Sequence, residues 1–106
     1  MKYSIAPIIC VAFFSGNLIA GDTAAGGKVF SANCAACHAG GKNVIMPKKD
    51  LSEASLSNSG MFETQAIYMI VANGKNAMPA FGGRLSAEDI DDVASYVLMR
   101  AQEGWK

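Results

Sequence analysis

One histidine, His38, stands in 106 residues. That scarcity excludes any site assembled from paired imidazoles. Cysteine is nearly as rare, with Cys10, Cys34 and Cys37 the whole supply, so a four-ligand structural zinc site is short of donors. Charge is sparse and even. Charged residues make up 17% of the chain, nine basic against nine acidic, and this gives no support to nucleic-acid or anionic-membrane binding. No stretch alternates apolar and polar residues with period two, which argues against a sheet. Internal repeats and low-complexity tracts are also missing. The apolar run from Ile5 to Phe14 is well short of the roughly 20 residues that span a bilayer.

That run sits in a leader-like opening. Lys2 gives a positive start, the apolar stretch follows, and Ala20 closes a small-residue boundary at Gly21, a layout that resembles a secretory signal peptide over residues 1–20. Leu18 is bulky for a position two before the cut, so the boundary is approximate. The alternative is an uncleaved leader acting as an anchor. Cleavage removes Lys2 and Cys10, leaving eight basic residues against nine acidic ones and Cys34 with Cys37 as the only thiols. Residues 21–106 are then one small domain.

Helix signals recur along it. Asp22 or Thr23 can cap a first helix toward Asn33, with Val29 and Phe30 on its apolar side. Gly26 and Gly27 within that helix cost roughly 1 kcal/mol each relative to alanine, so another backbone is expected close against them. "AGGKNVIMPKKD" reads as a loop. Ser52 can cap the short segment "SEASL", which stops near Asn58 and Gly60. "ETQAIYMIVANG" places Ile67, Ile70 and Val71 at i, i+3, i+4 and ends on Asn73 and Gly74. A second loop, "KNAMPAFGGRL", leads to Ser86 and Asp89, a capping box before the stripe Ile90, Val93, Ala94, Val97, Leu98 and Ala101. The domain is all-α, about four short helices with two long loops. A core of this kind needs a non-protein filling.

"FSANCAACHAG" supplies the reason. Cys34 and Cys37 lie about one helical turn apart, suited to two thioethers with the vinyl groups of one haem, and His38 follows as the proximal iron ligand. A thioredoxin-like pair would belong to a βαβ context that is absent, and a lone disulfide over so short a loop contributes little. With no second histidine, the sixth ligand falls to a methionine or the site stays open. Met69 and Met99 lie on helices, where methionine fills core space. Met46 and Met78 both lie in loops and both precede a proline. The position of Met78 between two well-formed helices favours it, and reach leaves Met46 open.

"GKVFSANCAACHAGGKNVI", "NGKNAMPAFGGRL" and "DIDDVASYVLMRAQEGW" occur in an order and spacing that resemble the class I cytochromes c, and among them the cytochrome c6 family of cyanobacteria and algal chloroplasts. The resemblance implies one covalently bound haem c, attached at Cys34 and Cys37 and ligated by His38 and Met78. It implies a crossing of the Gly27 and Phe30 face over the last helix near Tyr96, and a docking role for Arg84. The implied function is one-electron transfer, not catalysis, from the cytochrome b6f complex to photosystem I in the thylakoid lumen. One position departs: Ile70 stands where photosynthetic members carry glutamine, as in c6-like proteins of lowered potential. The competing readings are a lumenal or periplasmic shuttle to a terminal oxidase or another acceptor and, in other classes, a haem peroxidase or a gas sensor, both of which need the Met78 position open.

Overall fold

A computed structural model describes residues 21–106; the expected leader, residues 1–20, lies outside the described residues. Five helices follow in order: α1 (Thr23–Asn33), α2 (Ala35–His38), α3 (Glu53–Asn58), α4 (Thr64–Asn73) and α5 (Ala87–Gln102), with single 3₁₀ turns at Ala39–Gly41 and Pro47–Lys49. Among the described residues there is no strand, only an isolated bridge between Lys75 and Met78. The fifth helix beyond the four expected is α2. It arises because His38 N–H reaches back to the Cys34 carbonyl at 2.9 Å, so the Cys-Ala-Ala-Cys-His segment adds its own turn beyond the end of α1.

The caps are those the sequence announces. Asp22 accepts from the Ala24 and Ala25 amides at the start of α1. Ser52 Oγ accepts from Ser55 N–H at 3.2 Å on α3. On α5, Ser86 Oγ accepts from Asp89 N–H at 3.0 Å while the Asp89 carboxylate accepts from Ser86 N–H at 3.2 Å, which satisfies two amides that would otherwise be orphaned. Gly74, with φ of 74°, ends α4, a left-handed conformation open to glycine without strain.

The first and last helices cross at the glycine patch. A Cβ on Gly26 would lie against the Asp92 carbonyl, 2.6 Å from its carbon, and one on Gly27 would lie 3.1 Å from the Tyr96 ring. Phe30 and Tyr96 ring centroids are 5.4 Å apart. The close backbone expected from the two glycines is therefore α5, and the crossing implied near Tyr96 is the one observed. Ile90, Val93, Ala94, Val97 and Ala101 bury the apolar stripe of α5, and Phe30, Leu56, Ile67, Val71 and Phe81 complete the core from the other elements. No helix among the described residues is long and apolar enough to cross a membrane.

Candidate functional site

Both long loops and all five helices border one cavity of about 470 Å³, within the range that holds a small molecule or cofactor. Cys34, Cys37 and His38 line it, as do Met46 and Met78, with Phe30, Leu56, Ile67, Ile70, Val71, Phe81, Val93 and Val97 among the apolar walls. The two candidate thiols, the imidazole and both loop methionines thus meet at one place. Arg84 stands outside, exposed on the surface, with its guanidinium carbon 4.6 Å from the centroid of the wall residue Phe81.

Local bonding fixes each group. Cys34 caps α1, its amide donating to the Phe30 carbonyl at 2.8 Å, and Cys37 follows one turn on, its amide donating to the Cys34 carbonyl at 3.2 Å. Both thiols are free. Cys34 is half-buried, and burial pushes its thiol up to about 11 because the thiolate is poorly solvated there. His38 Nδ1 donates to the Lys42 carbonyl at 2.8 Å. That bond orients the ring and leaves Nε2 as the available lone pair.

The histidine loop is braced by residues that the sequence signalled weakly. Asn43 Oδ1 accepts from the amides of Ile45 and Met46 at 3.1 and 2.8 Å, and its Nδ2 donates to the Lys49 carbonyl at 3.0 Å. An asparagine in a glycine- and proline-bearing loop is the available cue to such a turn. Trp105 Nε1 donates to the Leu51 carbonyl at 2.8 Å, and Leu51 N–H donates to the Gly41 carbonyl at 2.7 Å. A Cβ on Gly41 would lie 2.5 Å from the Trp105 ring, so the loop and the chain end are interlocked.

The methionine loop is tighter. Lys75 and Met78 exchange both backbone bonds at 2.9 Å, with Asn76 at φ of 53°, a conformation asparagine tolerates better than most residues. Phe81 and Gly82 amides return to the Val71 and Ala72 carbonyls at 2.9 and 3.0 Å. These bonds tie the loop to the end of α4. Met78 is half-buried and packs on the core, whereas Met46 is 48% exposed. Pro79 contributes no amide that could disturb the loop.

The donor set fits haem c. Two free thiols precede an imidazole with one nitrogen committed and one available, a thioether enters from a separate braced loop, and the walls between them are apolar. No group of three or more His, Cys, Asp or Glu among the described residues is placed to hold a bare metal ion. A helical shell around such a cavity defines a small class I c-type cytochrome.

The family described as "Cytochrome C oxidase, cbb3-type, subunit III" matches residues 21–97. Cytochrome c6 of Gracilaria tenuistipitata var. liui is 50% identical over 108 residues, covering 99% of this chain and 100% of that protein. Cytochrome c6 of Bumilleriopsis filiformis is 61% identical over 80 residues, 76% of this chain and 93% of that one. The crystal structure of cytochrome c6 from the diatom Phaeodactylum tricornutum superposes with a TM-score of 0.78 at 56% identity, covering 80% of this chain and 100% of that one. The chain belongs to the cytochrome c6 family. It is an electron carrier with covalently bound haem c.

Proposed function

We propose that this chain shuttles single electrons from the cytochrome b6f complex to photosystem I in the thylakoid lumen, after removal of residues 1–20. Cys34 and Cys37 would hold the haem as thioethers, and His38 Nε2 and the Met78 sulfur would ligate its iron. When bound, the haem supplies a one-electron iron couple, and a thioether ligand favours the reduced state relative to two imidazoles. The protein retains the group covalently, aims His38 through Lys42, and keeps the surrounding wall dry so that little reorganises on electron transfer. Arg84, beside the cavity wall at Phe81, belongs to the surface that meets the acceptor. With Met78 as an iron ligand the haem would have no open site, and the chain has no second histidine to act as acid or base, which supports a carrier over an enzyme.

The convergence of Cys34, Cys37, His38 and Met78 on one apolar cavity carries this reading. A potentiometric titration of the purified, matured holoprotein, followed through its visible bands, tests it. A midpoint matching the haem of the b6f complex is the expected result. A clearly lower midpoint supports the second reading, a c6-like carrier donating to a terminal oxidase or another acceptor, which the placement of Ile70 in the cavity wall favours. In that case Ile70→Gln should raise the midpoint, and an unchanged value would remove Ile70 as the cause.

A further inference from the structure

The start of the described chain is built into the last helix. Gly21 N–H donates to Ser95 Oγ at 3.0 Å, and Asp22 N–H donates to Asp92 Oδ1 at 2.8 Å. Ser95 is fully buried and Asp92 is only 6% exposed. No side chain fits at Gly21: a Cβ would lie 2.6 Å from the Asp91 carbonyl oxygen and 2.8 Å from Ser95 Oγ. Close approach to α5 is what requires glycine there.

Asp92 is the anomaly. A carboxylate nine-tenths buried ordinarily has a cation beside it. The ion pair among the described residues joins Arg100 to Glu103 and does not involve Asp92. One backbone amide hydrogen is not a counter-charge.

We propose that cutting the chain between Ala20 and Gly21 creates this cation, the α-ammonium of Gly21, which pairs with Asp92 and Ser95 and clamps the start of α1 to α5. Hydrolysis of that peptide bond by a leader-removing protease consumes one water and yields the Ala20 carboxylate and the Gly21 ammonium. The Gly21 nitrogen is one residue from the Asp22 nitrogen, which places it within about 6.5 Å of the Asp92 carboxylate, inside the range where partly buried charges act on each other with little screening. The adjoining residues Asp22, next in the chain, and Asp91, whose backbone carbonyl borders Gly21, are also acidic and favour a cation there. The positive end of the α1 dipole opposes it. An uncut chain has a neutral amide at the same place, so the clamp exists only in the processed protein.

The proposal rests on the export reading for the cut itself, and on the geometry for the clamp, and the two are tested separately. Four holoproteins are compared by thermal unfolding: chains starting at Gly21, and chains extended by Ala20, each with Asp92 or with Asp92→Asn. Asparagine keeps an acceptor for Asp22 N–H, so the fold is retained. The extension moves the ammonium about 3.8 Å along the chain. It should lower the unfolding midpoint by several degrees when Asp92 is present and by under about a degree with Asp92→Asn, the signature of a direct coupling. Equal losses in both backgrounds, or no loss in either, would overturn the clamp. The intact mass of the exported protein should correspond to a start at Gly21. A different start overturns the assigned cut, and a full-length mass overturns removal of the leader and with it the clamp.

Discussion

Replacing Gly26 by alanine tests whether the crossing of α1 and α5 sets the stability of the protein. Helix propensity alone favours the change by about 1 kcal/mol. Against that, the new Cβ meets the Asp92 carbonyl, with its carbon 2.6 Å away, and a backbone atom within a helix cannot rotate aside. The helices must part by several tenths of an ångström or more, an overpacking cost of about 1–3 kcal/mol. Parting them also stretches the Gly21 to Ser95 and Asp22 to Asp92 bonds, each worth about 1 kcal/mol. The net expectation is a loss of about 2–4 kcal/mol, which for a domain of this size lowers Tm by at least about 8 °C. The assay is thermal unfolding of the holoprotein by far-UV circular dichroism. Gly27→Ala meets the edge of the Tyr96 ring at 3.1 Å, and because a side chain can shift, its loss should be smaller. Gly83→Ala meets nothing within 4 Å and should be neutral or slightly stabilising. A Gly26→Ala protein within a degree or two of the parent, or less affected than Gly27→Ala, would refute the argument.

Met78→Ala should open the iron to carbon monoxide in the reduced protein at neutral pH and lower its midpoint potential, while Met46→Ala should do neither; the visible spectrum under carbon monoxide separates them, and the reverse pattern would reassign the ligand. Trp105→Phe removes the donor to the Leu51 carbonyl while keeping most of the ring contact with Phe30 at 5.4 Å. It should cost about 1 kcal/mol, seen as a fall in Tm of about 4–8 °C, and an unchanged Tm would show that the loop is held without it. Asp50 has its carboxyl held below the usual 3.8, first by the Ser52 hydroxyl, then by the Ser55 hydroxyl and the Ser52 amide. A depressed folded-state value means that the stabilisation is present above the unfolded carboxylate range and is lost as pH falls through the folded value. The stability difference between the parent and Asp50→Asn should therefore be constant near neutrality and disappear in acid titrations below that range; a difference that persists there would mean that the charge is not its source.

The helices and their caps were legible because their signals are local. Ser86 with Asp89, Ser52, and the Asn73–Gly74 stop each act within a few residues, and the structure places a cap at each. The Cys34, Cys37 and His38 cluster was legible for the same reason, since one helical turn contains it. Asn43 and Trp105 were not, because their effects are not written in a period. Trp105 acts on Leu51 across 54 positions, and no spacing rule connects the two. Asp92 carries no signal in isolation. On the sequence it is one acid among Asp89, Asp91 and Asp92 with no period to single it out, and the docking of Gly21 and Asp22 is what covers it.

The choice between Met46 and Met78 shows where local reading stops and tertiary bonding adds support. Both precede a proline, both lie in loops, and both line the cavity, so neither chemistry nor reach separates them. The loops differ in what restrains them. Met46 follows a turn organised by a single side chain, Asn43, and stays 48% exposed. Met78 is closed by a reciprocal backbone pair with Lys75, and the residues after it are tied to the Val71 and Ala72 carbonyls of α4, a helix packed on α5, which in turn packs on the α1 that leads into Cys34. A ligand that must hold iron through both oxidation states with little rearrangement is better placed on the second kind of loop, because each backbone bond there limits how far the sulfur can drift. Weakening that brace without touching the methionine should therefore mimic part of its loss. Gly74→Ala, which strains a φ of 74° and brings a Cβ to 2.8 Å from the Met78 carbonyl oxygen, should raise carbon monoxide binding by the reduced protein toward that of Met78→Ala, and binding no greater than in the parent would show that the sulfur is held independently of its loop.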